Sequence, residues 1–168
     1  APDMIFTLPS CFNEASRLVE HWMDKPLYDE IFAAERGGSP LSLDARTCPE
    51  LYLLEVNANR KVYRTDFLRE NRFTFPEGVK WEDIRPHVQL VHLAKSCVAL
   101  SATGFLYRKN NSGQITAETG AGRLDILSVF EDVLGQVAGG GYTEKECSAV
   151  MNLICNYTLW MMEMTNMD

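Results

Sequence analysis

The sequence predicts a mainly α-helical fold, with α+β as the variant: a helical bundle carrying one or two small β-hairpins, with a C-terminal antiparallel αα-hairpin at its core. Three observations predict it. Ile126, Phe130, Val133 and Val137 follow the three- and four-residue spacing of one helical face. Gly139, Gly140 and Gly141 then supply a stop, because glycine enters the left-handed conformation of a helix C-terminus at little cost. Beyond them Thr143 and Glu146 form a capping box for a closing helix that is apolar on nearly every side, through Val150, Leu153, Ile154, Tyr157, Trp160 and Met161.

The remaining elements follow in chain order. Ser10 reads as the N-cap of a helix with Phe12, Ala15, Leu18, Val19, Trp22 and Met23 on one broad face. Pro26 interrupts it and suits the first turn of a second helix, Pro26 to Arg36, closed by Gly37 and Gly38. Residues 37–47 make a loop. Between Pro49 and Phe75 the period is ambiguous: Tyr52, Leu54 and Val56 alternate, as do Lys61, Tyr63, Thr65 and Phe67, about an Asn57–Arg60 turn, as in a hairpin. Thr47, Pro49 and Glu50 argue instead for a short helix through Leu54, and a short helix or strand, a turn and a strand is the expectation. Trp81 to Ile84 is a helical turn, and Val88 to Leu100 a central hydrophobic helix. Residues 105–108 and 114–118 flank Asn110-Asn111-Ser112-Gly113 as a second hairpin. The connection from Ala138 to Tyr142 is short enough to make the last two helices antiparallel neighbours. The chain shows no repeat, low-complexity tract or linker, so residues 1–168 are expected to form a single domain.

Composition narrows the classes. Hydrophobic residues at 46% and charged residues at 23% are those of an ordinary globular protein. A net charge of −7 with no Lys/Arg cluster argues against a nucleic-acid partner, since neutralising phosphates requires a basic surface. Met4 to Leu8 is too short for a signal peptide, and Leu153 to Met164 falls short of the roughly 20 residues a membrane span requires. The five cysteines are odd in number and form no C-x-x-C pair; Cys97, Cys147 and Cys155 sit in apolar runs, which predicts a reducing, cytoplasmic or otherwise intracellular setting. The sequon at Asn156 falls in the closing helix, where packing would exclude a glycan.

Candidate chemistry is sparse. His87 and His92 lie five apart, which turns them about 140° from each other on a helix, whereas a two-histidine metal site wants a spacing of four; no metal and no cofactor is expected. No G-x-S-x-G elbow or P-loop occurs. Gly120 and Gly122 before Arg123 offer a weak anion site, with helix-start amides and an arginine clamp. The pairs Asp29-Glu30, Glu82-Asp83 and Glu131-Asp132 read as solvated polar faces rather than acid–base dyads. Cys11, after Ser10, is a weak nucleophile candidate. Tryptophan and methionine crowd the chain end. Trp22, Met23, Trp81, Trp160, Met161 and Met164 are the candidate residues of a protein interface, because tryptophan anchors binding hot spots and methionine adapts to varied apolar partners.

Glu77 to Ile84, running into a hydrophobic helix, resembles the groove-lining motif of the BH-domain apoptosis regulators, and Leu159 to Glu163 is similar to a segment of their following helix. The resemblance implies an all-helical bundle that binds a partner helix. The Asn-Trp-Gly-Arg core of that motif is Lys80-Trp81-Glu82-Asp83 here, so the partner-anchoring arginine is missing, and well under a fifth of the chain is covered. Read together, the residues favour a non-enzymatic interaction or regulatory domain, an effector or viral accessory protein among the options, that meets a protein partner or self-associates through an apolar helical surface. The alternatives are a small enzyme or ligand-binding protein whose site assembles from distant residues such as Cys11, His92 and Arg123, and a structural subunit of a larger assembly.

Overall fold

The computed structural model describes residues 1–13, 19–21, 23–32, 42–109 and 121–164, with backbone alone at residues 13, 19–21, 101, 121, 122 and 164. It is mixed α/β around a four-stranded mixed sheet, which corrects the expectation of a helical bundle. The central strand is β1, Met4–Asn13. Along one edge it pairs antiparallel with β3, Lys61–Tyr63, through Met4↔Tyr63, and with β2, Val19–His21, through Ser10↔His21. Along the other edge it pairs parallel with β4, Cys97–Lys109, from Met4↔Cys97 to Asn13↔Lys109.

The helix predicted from Ser10 is therefore a strand. Met4, Phe6, Thr7, Ser10 and Cys11 are all buried because both ladder edges of β1 are occupied, and tertiary pairing overrides the helical spacing. Pro9, which cannot donate to a ladder, sits where the β1–β4 register shifts on either side of Leu8. Gly104 is the β4 residue passed over between Thr103 and Phe105, and a side chain there would fall on Thr7. The Tyr28 hydroxyl braces the same irregularity, lying 3.1 Å from the Phe6 carbonyl and 2.9 Å from that of Leu100.

The helix predicted from Val88 to Leu100 is two elements. α3 spans Ile84–Leu93, Ala94 turns to extended backbone, and Cys97 opens β4. The apolar run from Cys97 to Leu100 is too short for periodicity to separate the start of a strand from the continuation of a buried helix, and in β4 Leu100 is exposed. Residues 105–109 of β4 pair with β1, and the expected return strand at 114–118 lies outside the described residues. In the 49–75 region no hairpin forms. Pro49–Leu53 and Ala58–Arg60 are 3-10 turns, Lys61–Tyr63 is β3, and Thr65–Glu70 is a further helix, α2.

α1, Lys25–Ile31, starts with Pro26 in its first turn but ends before Arg36; residues 33–41 are outside the description. After a 3-10 turn at Ala121–Asp125 come α4, Ile126–Gly139, and α5, Glu144–Met164. Gly141 takes φ +70° between them. The Thr143–Glu146 capping box closes, with the Thr143 N–H donating to Glu146 Oε2 at 2.8 Å. α5 is not wrapped on all sides: Val150, Leu153, Ile154 and Met161 are buried, whereas Met151, Leu159 and Met162 are exposed. Asn156 is exposed too, so packing does not exclude a modification there. None of the five cysteines is in a disulfide, and among the described residues no helix is long and apolar enough to cross a membrane.

Candidate functional site

The densest set of charged groups away from bulk solvent lies where the 55–61 segment meets the start of α3. Arg60, itself buried, forms a two-pronged salt bridge with Asp24 at 2.8 and 3.0 Å. Asp24 also accepts the Glu55 N–H at 3.0 Å, so one carboxylate ties the end of the chain before α1 to the loop before β3. Lys61, 6% exposed, donates to the backbone carbonyls of Glu55 at 2.8 Å and Asn57 at 3.0 Å. Burial, reinforced by the neighbouring Arg60 charge, pushes its ammonium down to about 7 against the opposing pull of Glu55, Asp83 and Asp24.

Asp83 stands immediately before α3 and is half-buried. Burial first, and then the Glu82 charge, raise its carboxyl above the usual aspartate range, while the Ala58 N–H and the Lys61 charge favour its ionised form. The sequence reading of Glu82-Asp83 as a solvated pair is thus corrected at Asp83. Two residues earlier Trp81 has φ +64°, a left-handed backbone that a bulky side chain adopts only under constraint, at about 1–3 kcal/mol. The constraint is aromatic. Trp81 meets Trp160 edge to face with centroids 5.7 Å apart, and the Arg123 guanidinium lies 4.7 Å from the Trp160 ring centre and 5.6 Å from that of Trp81. Tyr157 packs on Trp160 and donates its hydroxyl to Glu55 at 2.8 Å. His87, buried one turn into α3, bonds the Tyr52 carbonyl, and burial together with the Lys61 charge holds it well below the usual histidine range. Burial thus holds the Asp83 carboxyl above, and the Lys61 ammonium below, its ordinary range. Perturbed pairs of this kind mark the cluster as a candidate site.

A second polar cluster is structural. Buried Glu146 accepts the Tyr52 hydroxyl at 2.9 Å and lies 3.1 Å from His92 Nδ1. His92 stacks on Tyr142 at 3.7 Å and its Nε2 meets the Gly140 carbonyl. His87 and His92 thus face separate partners, and among the described residues no group of three His, Cys, Asp or Glu could hold a metal ion.

Of the residues singled out for an interface, Trp81 and Trp160 touch each other, Met161 is buried, and Met23 is 84% exposed. Trp22 and the side chain of Met164 lie outside the described residues. Arg123, paired in the sequence reading with Gly120 and Gly122, is 2% exposed and enclosed by the two indoles; Gly122 lies in the 3-10 turn and Gly120 is outside the description. Cys11 is buried in the central strand. Lys61, Glu55 and Asp83 were missed, since they converge through tertiary structure. The one local signal was an aspartate at the head of an apolar helix.

No family model matches the chain, and no curated protein does. Among solved structures the fold is similar to S. aureus TarS 1-349 in complex with UDP-GlcNAc, with a TM-score of 0.65 and 15% sequence identity. The match covers 95% of this chain and 41% of that one, so the chain spans about two fifths of the length of the protein it resembles. This likeness, together with the mixed sheet, overturns the reading of a helical-bundle interaction or regulatory module.

Proposed function

We propose that the chain contributes to a nucleotide-sugar-dependent glycosyl-transfer domain, with Asp83 as the carboxylate that takes a proton from an acceptor hydroxyl. The observation that carries this reading is the likeness to TarS bound to UDP-GlcNAc over 95% of the chain. The position of Asp83 supports it. Transfer of a sugar from a nucleoside diphosphate to an alcohol forms a C–O bond at the anomeric carbon as the bond to the diphosphate breaks, and the attacking hydroxyl must lose its proton. A carboxylate with raised proton affinity, on rigid backbone at a helix start, suits that task. The net charge of −7 speaks against a nucleic-acid acceptor, and the cysteines, none of them bridged, suit a reducing compartment.

The experiment is a titration of the labelled protein with UDP-GlcNAc, followed through backbone amide shifts, together with an assay of UDP release in the presence of alcohol acceptors. Shifts are expected to cluster at residues 55–61 and 81–84. Asp83→Asn is expected to lower turnover by about 10²–10⁴ while stability at pH 7 stays level or rises, because the substitution removes a desolvated charge. No shift with UDP, UDP-GlcNAc or a panel of other nucleotide sugars, and no release of UDP, overturns the reading.

A further inference from the structure

We infer that Arg123 is a positioning residue for Asp83: its guanidinium, set against the Trp81 and Trp160 rings, holds Trp81 in left-handed backbone and so fixes the turn that presents the carboxylate. The role rests on the reading of Asp83 as the base and adds what holds it. The Trp81 carbonyl accepts the Ile84 N–H at 3.1 Å, so Glu82 and Asp83 are the two central residues of a turn. On the helix side the Asp83 carbonyl already accepts the His87 N–H at 2.9 Å. The approach to Asp83 is therefore set at Trp81, whose φ of +64° is open to glycine but is held by a bulky residue only where its surroundings enforce it.

Two other elements supply that enforcement. The Arg123 guanidinium, from the 3-10 turn before α4, lies 5.6 Å from the Trp81 ring centre and 4.7 Å from that of Trp160, within reach of cation–π attraction to both. Trp160, from α5, meets Trp81 edge to face with ring centres 5.7 Å apart. Arg123 is 2% exposed, and removal from water strengthens such an attraction. The chain uses glycine for a left-handed turn three residues earlier, where Gly78 has φ +72°. At position 81 it places instead a strained tryptophan that a buried cation can grip, and the residue this grip presents is Asp83.

The test is amide exchange and steady-state kinetics on the whole chain. Arg123→Met removes the charge, and is expected to lower kcat for UDP release about tenfold while KM for UDP-GlcNAc stays within about twofold. Its Ile84 amide exchanges about tenfold faster, beyond any change at the Val91 amide inside α3. Arg123→Lys, which restores the charge, recovers part of both. Trp81→Gly keeps the left-handed backbone without the indole and retains kcat within about threefold, whereas Trp81→Ala loses about as much as Arg123→Met. Thr143→Ala serves as the comparison: it costs stability at the start of α5 but leaves kcat, and Ile84 exchange relative to Val91, unchanged. Equal losses in Trp81→Gly and Trp81→Ala assign the effect to the indole itself and overturn the inference, as does an unmoved Ile84 amide in Arg123→Met. In the unmodified protein the Arg123 side-chain protons are expected upfield, displaced by two ring currents. Protons at their ordinary position overturn the inference, and that result needs no variant to fold. A protein whose Ile84 amide responds to Arg123 yet which binds no nucleotide sugar loses the functional reading alone; one that transfers sugar with kcat unchanged in Arg123→Met loses this inference alone.

Discussion

At Glu146 a local rule and a tertiary one meet on a single carboxylate. Oε2 accepts the Thr143 N–H and hydroxyl, the capping box visible in the spacing of the two residues. Oε1 serves Tyr52 and His92, 94 and 54 residues away in sequence, which no local pattern announces. Burial works against the charge, but the bonds from Thr143, His92 and Tyr52 outweigh it and hold the carboxyl below the usual glutamate range. Its folded pKa being depressed, the stability it contributes is present above the ordinary value of 4.5 and is lost as pH falls through the folded one. Tyr52→Phe removes one bond to a charged acceptor and is expected to cost about 1.5–3 kcal/mol in urea unfolding at pH 7. The penalty should shrink as the pH is lowered below 4.5, once Glu146 is protonated; an equal penalty at pH 7 and in acid would contradict the bond's charged character.

At the scale of elements, the sheet depends on how β1 and β4 absorb their two register shifts. Gly104 is passed over in the pairing and lies against the buried Thr7 side chain, so Gly104→Ala forces an overlap with that side chain. The expected cost is about 1–3 kcal/mol, measured by thermal or urea unfolding. Thr7→Gly in the same chain relieves the overlap, and the double variant should fall short of the summed single losses. Simple additivity would show that the overlap is not the cause. The start of α5 offers a matching test of local chemistry: Thr143→Ala loses the cap bond to the Glu146 N–H, at about 1 kcal/mol. These elements also show where sequence patterns inform. The cap, the glycine break and Pro26 in a first turn are short-range chemistry and are visible as such. Val88 to Leu100 and Ser10 to Met23 are not: a short apolar run suits a buried helix and a strand equally well, and in β1 ladder pairing overrides a helical spacing.

For the molecule as a whole, the buried ionisable groups set a stability profile. Between about 7 and the ordinary 10.5 the unfolded chain holds a proton on Lys61 that the folded chain has released. Stability therefore rises with pH across that window and falls as the pH drops through it. Tyr52, Tyr63 and Tyr157 work in the opposite sense. Burial lifts each above the ordinary 10.0, so above that pH the unfolded chain ionises first and stability declines. Burial also lifts the Cys48 and Cys97 thiols above the ordinary 9.0. The urea midpoint is therefore expected to climb from pH 6.5 to about 8.5 and then fall, and Lys61→Met is expected to abolish the climb while keeping the fall. A climb that survives the substitution would place its origin elsewhere.

The amino-acid sequence by itself determined the short-range features: the terminal helices and the break between them, the capping box, Pro26 in a first turn, and a composition that leaves no basic surface. Tertiary structure alone decided that Met4–Asn13 is the middle strand of a sheet, that Cys97–Lys109 lies parallel beside it, and that Arg60 pairs with Asp24. The reason is physical. A helix turn closes its hydrogen bonds within four residues, whereas Met4 finds its partner at Cys97 and the Arg60 guanidinium finds its carboxylate at Asp24, so neither neighbourhood exists until the chain has folded back on itself.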